Sequence, residues 1–161
     1  MNFSQGVQFC VNQRGRKEAL RLYLSGLFLW RGVLWEDMEN SDIKYLDLIS
    51  TIITVTNYSL FIKNFYIDQI KYEGDIKIKI NLHNNKGRKI CMNGMFPLLG
   101  NFISNESSIV DEWIVSEVQL RSSWKEQASK YCLHLFRVFN WNDINPNTIE
   151  QHQAKYLNGQ L

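Results

Sequence analysis

The stretch Asp75–His83, DIKIKINLH, constrains the fold more tightly than any other part of the chain. Ile76, Ile78, Ile80 and Leu82 alternate with Lys77, Lys79, Asn81 and His83, and a period of two marks a strand with one face buried and the other in water. A chain holding such a strand must supply neighbouring strands for its backbone and a layer to cover its isoleucines. Flanking residues nominate local partners. Glu73-Gly74-Asp75 is a turn signal between FYIDQIKY and the strand, and HNNKG, with Asn85 and Gly87 suited to positive φ, leads into RKICM. The expectation is an antiparallel meander of at least three strands.

The covering layer is sought among helical patterns. The longest apolar run, Ala19 to Trp35, is 17 residues long and interrupted by Arg21 and Arg31, whereas a spanning helix wants about 20 residues with few or no charges. No membrane segment is read. The pattern instead predicts a soluble helix from about Arg16 to Trp35, with Gly26 and Gly32 inside it at a cost of about 1 kcal/mol each against Ala. A second helix is expected after the N-cap candidate Ser41, carrying Tyr45, Leu46, Leu48, Ile49 and Ile52; its end, TIITVT, also suits a strand. A long third helix opens at Ser108 and Asp111, a variant of the capping box. Val110, Trp113, Leu120, Trp124, Ala128, Tyr131, Leu135 and Val138 follow at three- and four-residue steps, as one helix or as two broken near Ser122-Ser123. WIVSEVQL within it also suits a strand. Pro146 and Gly159 bracket a short final helix.

The fold class predicted is α+β: an antiparallel sheet of three to five strands packed on one face by two long helices, the first and the third. At 161 residues, with 45% hydrophobic residues and 13% aromatic ones, the chain has the size and content of one domain, residues 1–161. Cys10, Cys91 and Cys132 are odd in number and show no CxxC spacing, which argues against a disulfide framework and a zinc module. The first residues, MNFSQGVQFCVNQRGR, do not read as a secretory signal. A cytoplasmic protein with free thiols is expected.

Catalytic patterns are not found. No G-x-S-x-G, Walker loop or H-E-x-x-H occurs. Cys132 and His134 are two apart on a predicted helix and so face different ways. Asp75-Ile76-Lys77 matches the acid-x-Lys step of a metal-dependent nuclease, but Asp68, its candidate partner, falls about 13 Å away along the expected hairpin. No catalytic residue, metal or cofactor is assigned.

Two surfaces carry the functional expectation. The first helix is more apolar than one small sheet can cover, so Leu27, Phe28 and Trp30 are read as a surface for a protein partner or a second copy of the chain. The function expected is a non-catalytic binding or regulatory module acting through protein contacts. The alternative is nucleic-acid binding. Charge comes in alternating blocks: residues 14–31 hold five basic side chains against one acidic, and residues 63–89 hold seven against three. Arg14, Arg16 and Lys17 before the first helix, with Lys77, Lys79, Arg88 and Lys89 on the ribbon, are the residues that would meet phosphate. The bland reading of that lysine row is a solvated strand face, where lysine also discourages edge-to-edge pairing. No aromatic side chain shares the exposed register between residues 75 and 83 to stack a base.

Overall fold

The structure, a computed structural model, describes residues 6–13, 16–38, 44–92, 96–98 and 100–160. The α+β class is observed, with different strands from those expected. The contacts divide the chain into two compact units, residues 1–42 and 43–161.

In the first unit the expected helix over 16–35 is absent. Its place is taken by strands β2 (Arg16–Tyr23) and β3 (Phe28–Gly32), preceded by β1 (Gly6–Gln13), in an antiparallel meander of order β1-β2-β3. The glycine that weakens the helix makes the turn. Gly26, at φ +81°, closes a short connection in which its amide donates to Tyr23 O at 2.9 Å, and Tyr23 N donates to Leu27 O at 2.9 Å. A single 3-10 turn, Trp35–Met38, follows the sheet.

The second unit opens with the short strand β4 (Tyr45–Asp47), which runs directly into helix α1 (Leu48–Ile62). Asp47 is the N-cap: its Oδ1 accepts the amide of Ser50 at 2.7 Å, while its own carbonyl accepts the hydroxyl of Thr51 at 2.6 Å. TIITVT is thus helical. The helix continues as a π-helical segment, Lys63–Gln69, which removes FYIDQIKY from any hairpin with the lysine strand.

That strand, β5 (Asp75–His83), pairs antiparallel with β8 (Ser108–Ser116), in a continuous register from Asp75↔Ser116 to His83↔Ser108. The capping box expected at Ser108 sits eight residues later: Ser116 Oγ accepts the amide of Gln119 at 3.2 Å and Ser116 N donates to Gln119 Oε1 at 3.0 Å. It starts helix α2 (Glu117–Val138), which bends at Ser123, φ −144° and ψ 33°, as the Ser122-Ser123 pair suggested. RKICM does hold a strand, β6 (Lys89–Met92), but it pairs in parallel with β4 and antiparallel with β7 (Phe96–Pro97). Helix α3 (Pro146–Leu157) is capped by Asn145, has Pro146 at its first turn and ends before Gly159 at φ +69°.

The inner face of the β5–β8 ribbon is covered, with Ile109 and Val115 of β8 buried and the isoleucines of β5 half-buried. Ile67, Val115 and Leu120 are buried together, with Ile76, Ile78, Trp113 and Trp124 packed around them. The Trp113 ring stacks on Tyr131 of α2, with centroids 4.7 Å apart. The three helices are held in register by one buried polar side chain. Gln153 of α3 accepts from Ser129 of α2 at 3.3 Å and donates to Thr56 of α1 at 3.2 Å and to Lys125 O at 3.3 Å. The side chains of Gln153, Ser129 and Thr56 are all buried, so each satisfies a group that would otherwise be costly.

Candidate interaction surface

The strand pairings sort the meander's side chains onto two faces, because residues directly opposite in an antiparallel pair project to the same side. Val7 lies opposite Leu22 and Leu22 opposite Phe28; Phe9 lies opposite Leu20 and Leu20 opposite Trp30. Six apolar residues therefore share one face. Gln8, Cys10, Ala19, Arg21, Leu29 and Arg31 share the other. Leu27, beside Tyr23, belongs with the second set, so the trio Leu27, Phe28 and Trp30 is not one surface. On a helix the three would cluster; on a strand Leu27 turns away from Phe28 and Trp30.

The apolar face is open at its β1 side. Val7 is 56% exposed and Phe9 58%, while Leu20, Leu22, Phe28 and Trp30 are half-buried. Among the described residues of this unit the helical element is one turn of four residues, Trp35–Met38, too short to cover three strands. The face has a footprint on the order of 300 Å² from strand lengths and spacings, the scale of the largest apolar patch on an ordinary monomer, which is often functional. Packing is tight at one corner: a Cβ on Gly32 would run into the six-membered ring of Trp30. The alternation of Val7 and Phe9 in GVQFCV, and of Leu20 and Leu22, was the signal for the four residues that the helical reading left out.

The cationic residues expected to meet phosphate belong to different elements. Arg14 lies outside the described residues. Arg16 and Lys17 open strand β2 and stand at no helix start, which removes the helix-dipole argument for an anion there. Arg88 is wholly buried, its Nη1 donating to Tyr45 O at 2.5 Å and its Nη2 to Asn84 O at 3.4 Å. It ties the turn after β5 to β4 and is not a surface cation. In that turn Asn84, at φ 59°, takes the positive-φ position with Gly87, while Asn85 is buried with its amide on Leu82 O. Lys89 is half-buried in β6, in a different sheet from Lys77 and Lys79.

Lys77 and Lys79 are exposed as expected, but β8 brings an acid, Glu112, opposite Lys79 and within reach of Lys77. Lys77 Nζ lies 2.6 Å from Glu112 Oε1. The hydrogen bond from Lys77 lowers the Glu112 carboxyl below its ordinary range, and the charge of Lys79 adds to the effect. The same face also carries Ile114, 65% exposed, and Val110, 58% exposed. It is a mixed surface, without the run of unopposed cations that follows a phosphate backbone.

Catalytic geometry is not assembled among the described residues. No group of three His, Cys, Asp or Glu is placed to hold a metal among them. Asp68 is engaged by Lys63 at 2.6 Å, which holds its carboxyl below the usual range. The Cys132 thiol is buried and pushed up to about 12, away from thiolate chemistry, while His134 points outward to Asp111 at 3.4 Å. Burial and the nearby Asp111 carboxylate raise the Tyr131 hydroxyl. Cys91 is buried with its sulfur 3.9 Å from Asp47 Oδ2. No described helix is long and apolar enough to cross a membrane. No protein-family model, curated protein or solved structure matches the chain. The functional reading rests on its own residues.

Proposed function

We propose that the chain is a non-catalytic binding module whose contacts with another protein are made through the apolar face of the meander. The observation that carries the reading is the exposure of Val7 and Phe9 on a face they share with Leu20, Leu22, Phe28 and Trp30. Leaving such side chains in water is unfavourable by about 1.5–3 kcal/mol each, and a partner surface removes that cost. The paired face of Lys77 and Glu112 and the burial of Arg88 weigh against nucleic acid as the partner.

The test is proximity cross-linking from the meander face in the native host, followed by binding of the purified components. The partner should cross-link to the wild type, be lost with Val7→Ser and Phe9→Ser together, and persist with Lys77→Gln and Lys79→Gln. Binding of duplex or single-stranded nucleic acid below about 1 μM at physiological salt, abolished by the two lysine substitutions, would replace this reading with the nucleic-acid one. A wild type in which no chain cross-links to the meander would also refute it.

A further inference from the structure

The outer edge of β8 carries a sequence that is nearly symmetric about Glu112. Glu117 N donates to Gly74 O at 3.0 Å, one pair beyond the end of the ribbon. In an antiparallel ladder, hydrogen-bonded pairs recur every second residue, so Ile109, Asp111, Trp113 and Val115 bond to β5 and the alternate residues Val110, Glu112 and Ile114 direct their backbone groups away from it. No strand borders that side among the described residues. β8 reads Ser-Ile-Val-Asp-Glu-Trp-Ile-Val-Ser. Turned end for end about Glu112, it sets Ser108 against Ser116, Ile109 against Val115, and Val110 against Ile114. Aliphatic meets aliphatic and Ser meets Ser in these three pairs, while Asp111 falls against Trp113 and Glu112 against itself.

We propose that β8 is a homodimerisation edge, on which a second copy of the chain lays its own β8 antiparallel about a two-fold axis at Glu112 to make a four-stranded sheet, β5-β8-β8-β5. The parity agrees, because this register pairs outward-directed residues with outward-directed ones: Val110 with the partner's Ile114, Ile114 with the partner's Val110, and the two Glu112 residues with each other. Val110 and Ile114, exposed at 58% and 65% in the single chain, then cover one another across the axis. A two-fold interface needs a patch complementary to itself, and a second copy is the occupant that sets an exposed aliphatic against each of Val110 and Ile114 in this register. Two contacts restrain the association. Asp111 Oδ1 accepts the Glu112 amide at 2.9 Å and must release it, and the two Glu112 carboxylates come face to face, each offset by its own Lys77 at 2.6 Å. This edge belongs to the second unit and the meander face of the proposed function to the first, and either proposal can stand without the other.

The test is sedimentation velocity of the full chain over a wide concentration range. The wild type should show a reversible monomer–dimer equilibrium. Ile114→Lys, at a position already exposed in the monomer, should weaken dimerisation at least tenfold with an unchanged thermal midpoint for the monomer. Glu112→Gln should tighten it roughly two- to five-fold by removing the like charges opposite each other, a gain that damage to the fold would not produce. A wild type monomeric at every concentration overturns the proposal. So does a dimer indifferent to both substitutions, and if that dimer instead responds to Phe9→Ser, the meander is the self-associating surface.

Discussion

Two antiparallel sheets in this chain have an apolar face, and they differ in what comes next along the sequence. The ribbon of β5 and β8 runs without a break into α2, whose capping box at Ser116 and Gln119 turns the chain back over Val115 and Ile76. The meander of β1, β2 and β3 runs into a four-residue turn, and Val7 and Phe9 stay more than half exposed. Alternation in a strand announces that one face is apolar. The cover comes from the following element, and where that element is too short the cover has to come from elsewhere. In this chain the covered sheet is part of the core, and the open one is the contact surface in the function proposed above.

The two sheets should differ most in the stability lost when an apolar side chain is truncated. Leu120→Ala, under the ribbon, should cost about 2–5 kcal/mol in chemical denaturation, whereas Phe9→Ala, at 58% exposure, should move the same transition by less than about 0.5 kcal/mol. Similar losses at both sites would mean that the meander face is a core after all. Next comes the register of the helices that cover the ribbon. Gln153→Ala strips partners from buried Ser129 and Thr56 and should cost about 1–3 kcal/mol, with early loss of hydrogen-exchange protection in α3.

A smaller effect is expected in the meander itself. A Cβ added at Gly26 would meet no atom within 4 Å, but the residue sits at φ +81°, so Gly26→Ala should cost about 1 kcal/mol through the backbone alone. Faster amide exchange confined to β2 and β3 would register it; unchanged exchange would mean the turn adopts another conformation.

The pH response concerns the covered side. Burial, then the charge of Lys155, lowers His152 below its ordinary value of 6.5, with Asp47 acting in the opposite direction. The unfolded chain therefore binds the proton more readily. The stability this contributes is complete above about pH 6.5 and is lost as pH falls through the folded value. Denaturation midpoints should drop on the acid side in the wild type and drop less in His152→Gln. The smallest effect belongs to Lys79→Ala on the wet face of the ribbon, within about 0.5 kcal/mol.

The polarity of β5 was legible because a half-buried strand states its two faces residue by residue: Ile76, Ile78, Ile80 and Leu82 inward, Lys77 and Lys79 outward. The kink at Ser123 and both ends of α3 were legible for a like reason, since serine pairs, proline and glycine act on their own backbone. The partner of β5 was not. Glu73-Gly74-Asp75 offered a hairpin nearby, while the true partner lies 25 or more residues on, and periodicity says nothing about which two strands meet. In β8 both phases hold aliphatics, Ile109 and Val115 inside and Val110 and Ile114 outside, so its alternation blurs into helical spacing. The meander failed for the same reason, with Leu27 and Leu29 filling the polar phase of a strand whose other phase is Phe28 and Trp30. That Arg88 is buried has no local signature, because its acceptor, Tyr45 O, is 43 residues away.

The parallel pairing of β4 with β6 also sets an order of events during synthesis. Asp47 ends β4 and caps α1, so that helix can start as soon as it emerges, yet the strand beside it, Lys89–Met92, is made only after α1, the π-helical segment and the whole of β5. Contacts so far apart in sequence form late because the intervening chain must first be closed into a loop. β5 likewise waits for β8. Between the appearance of residue 83 and that of residue 108 a nascent chain presents four apolar side chains on an unpaired strand, with Lys77 and Lys79 the charges beside them. In that interval the two lysines place charge along the lone strand, the feature that discourages an unpaired edge from pairing with its copies on neighbouring chains.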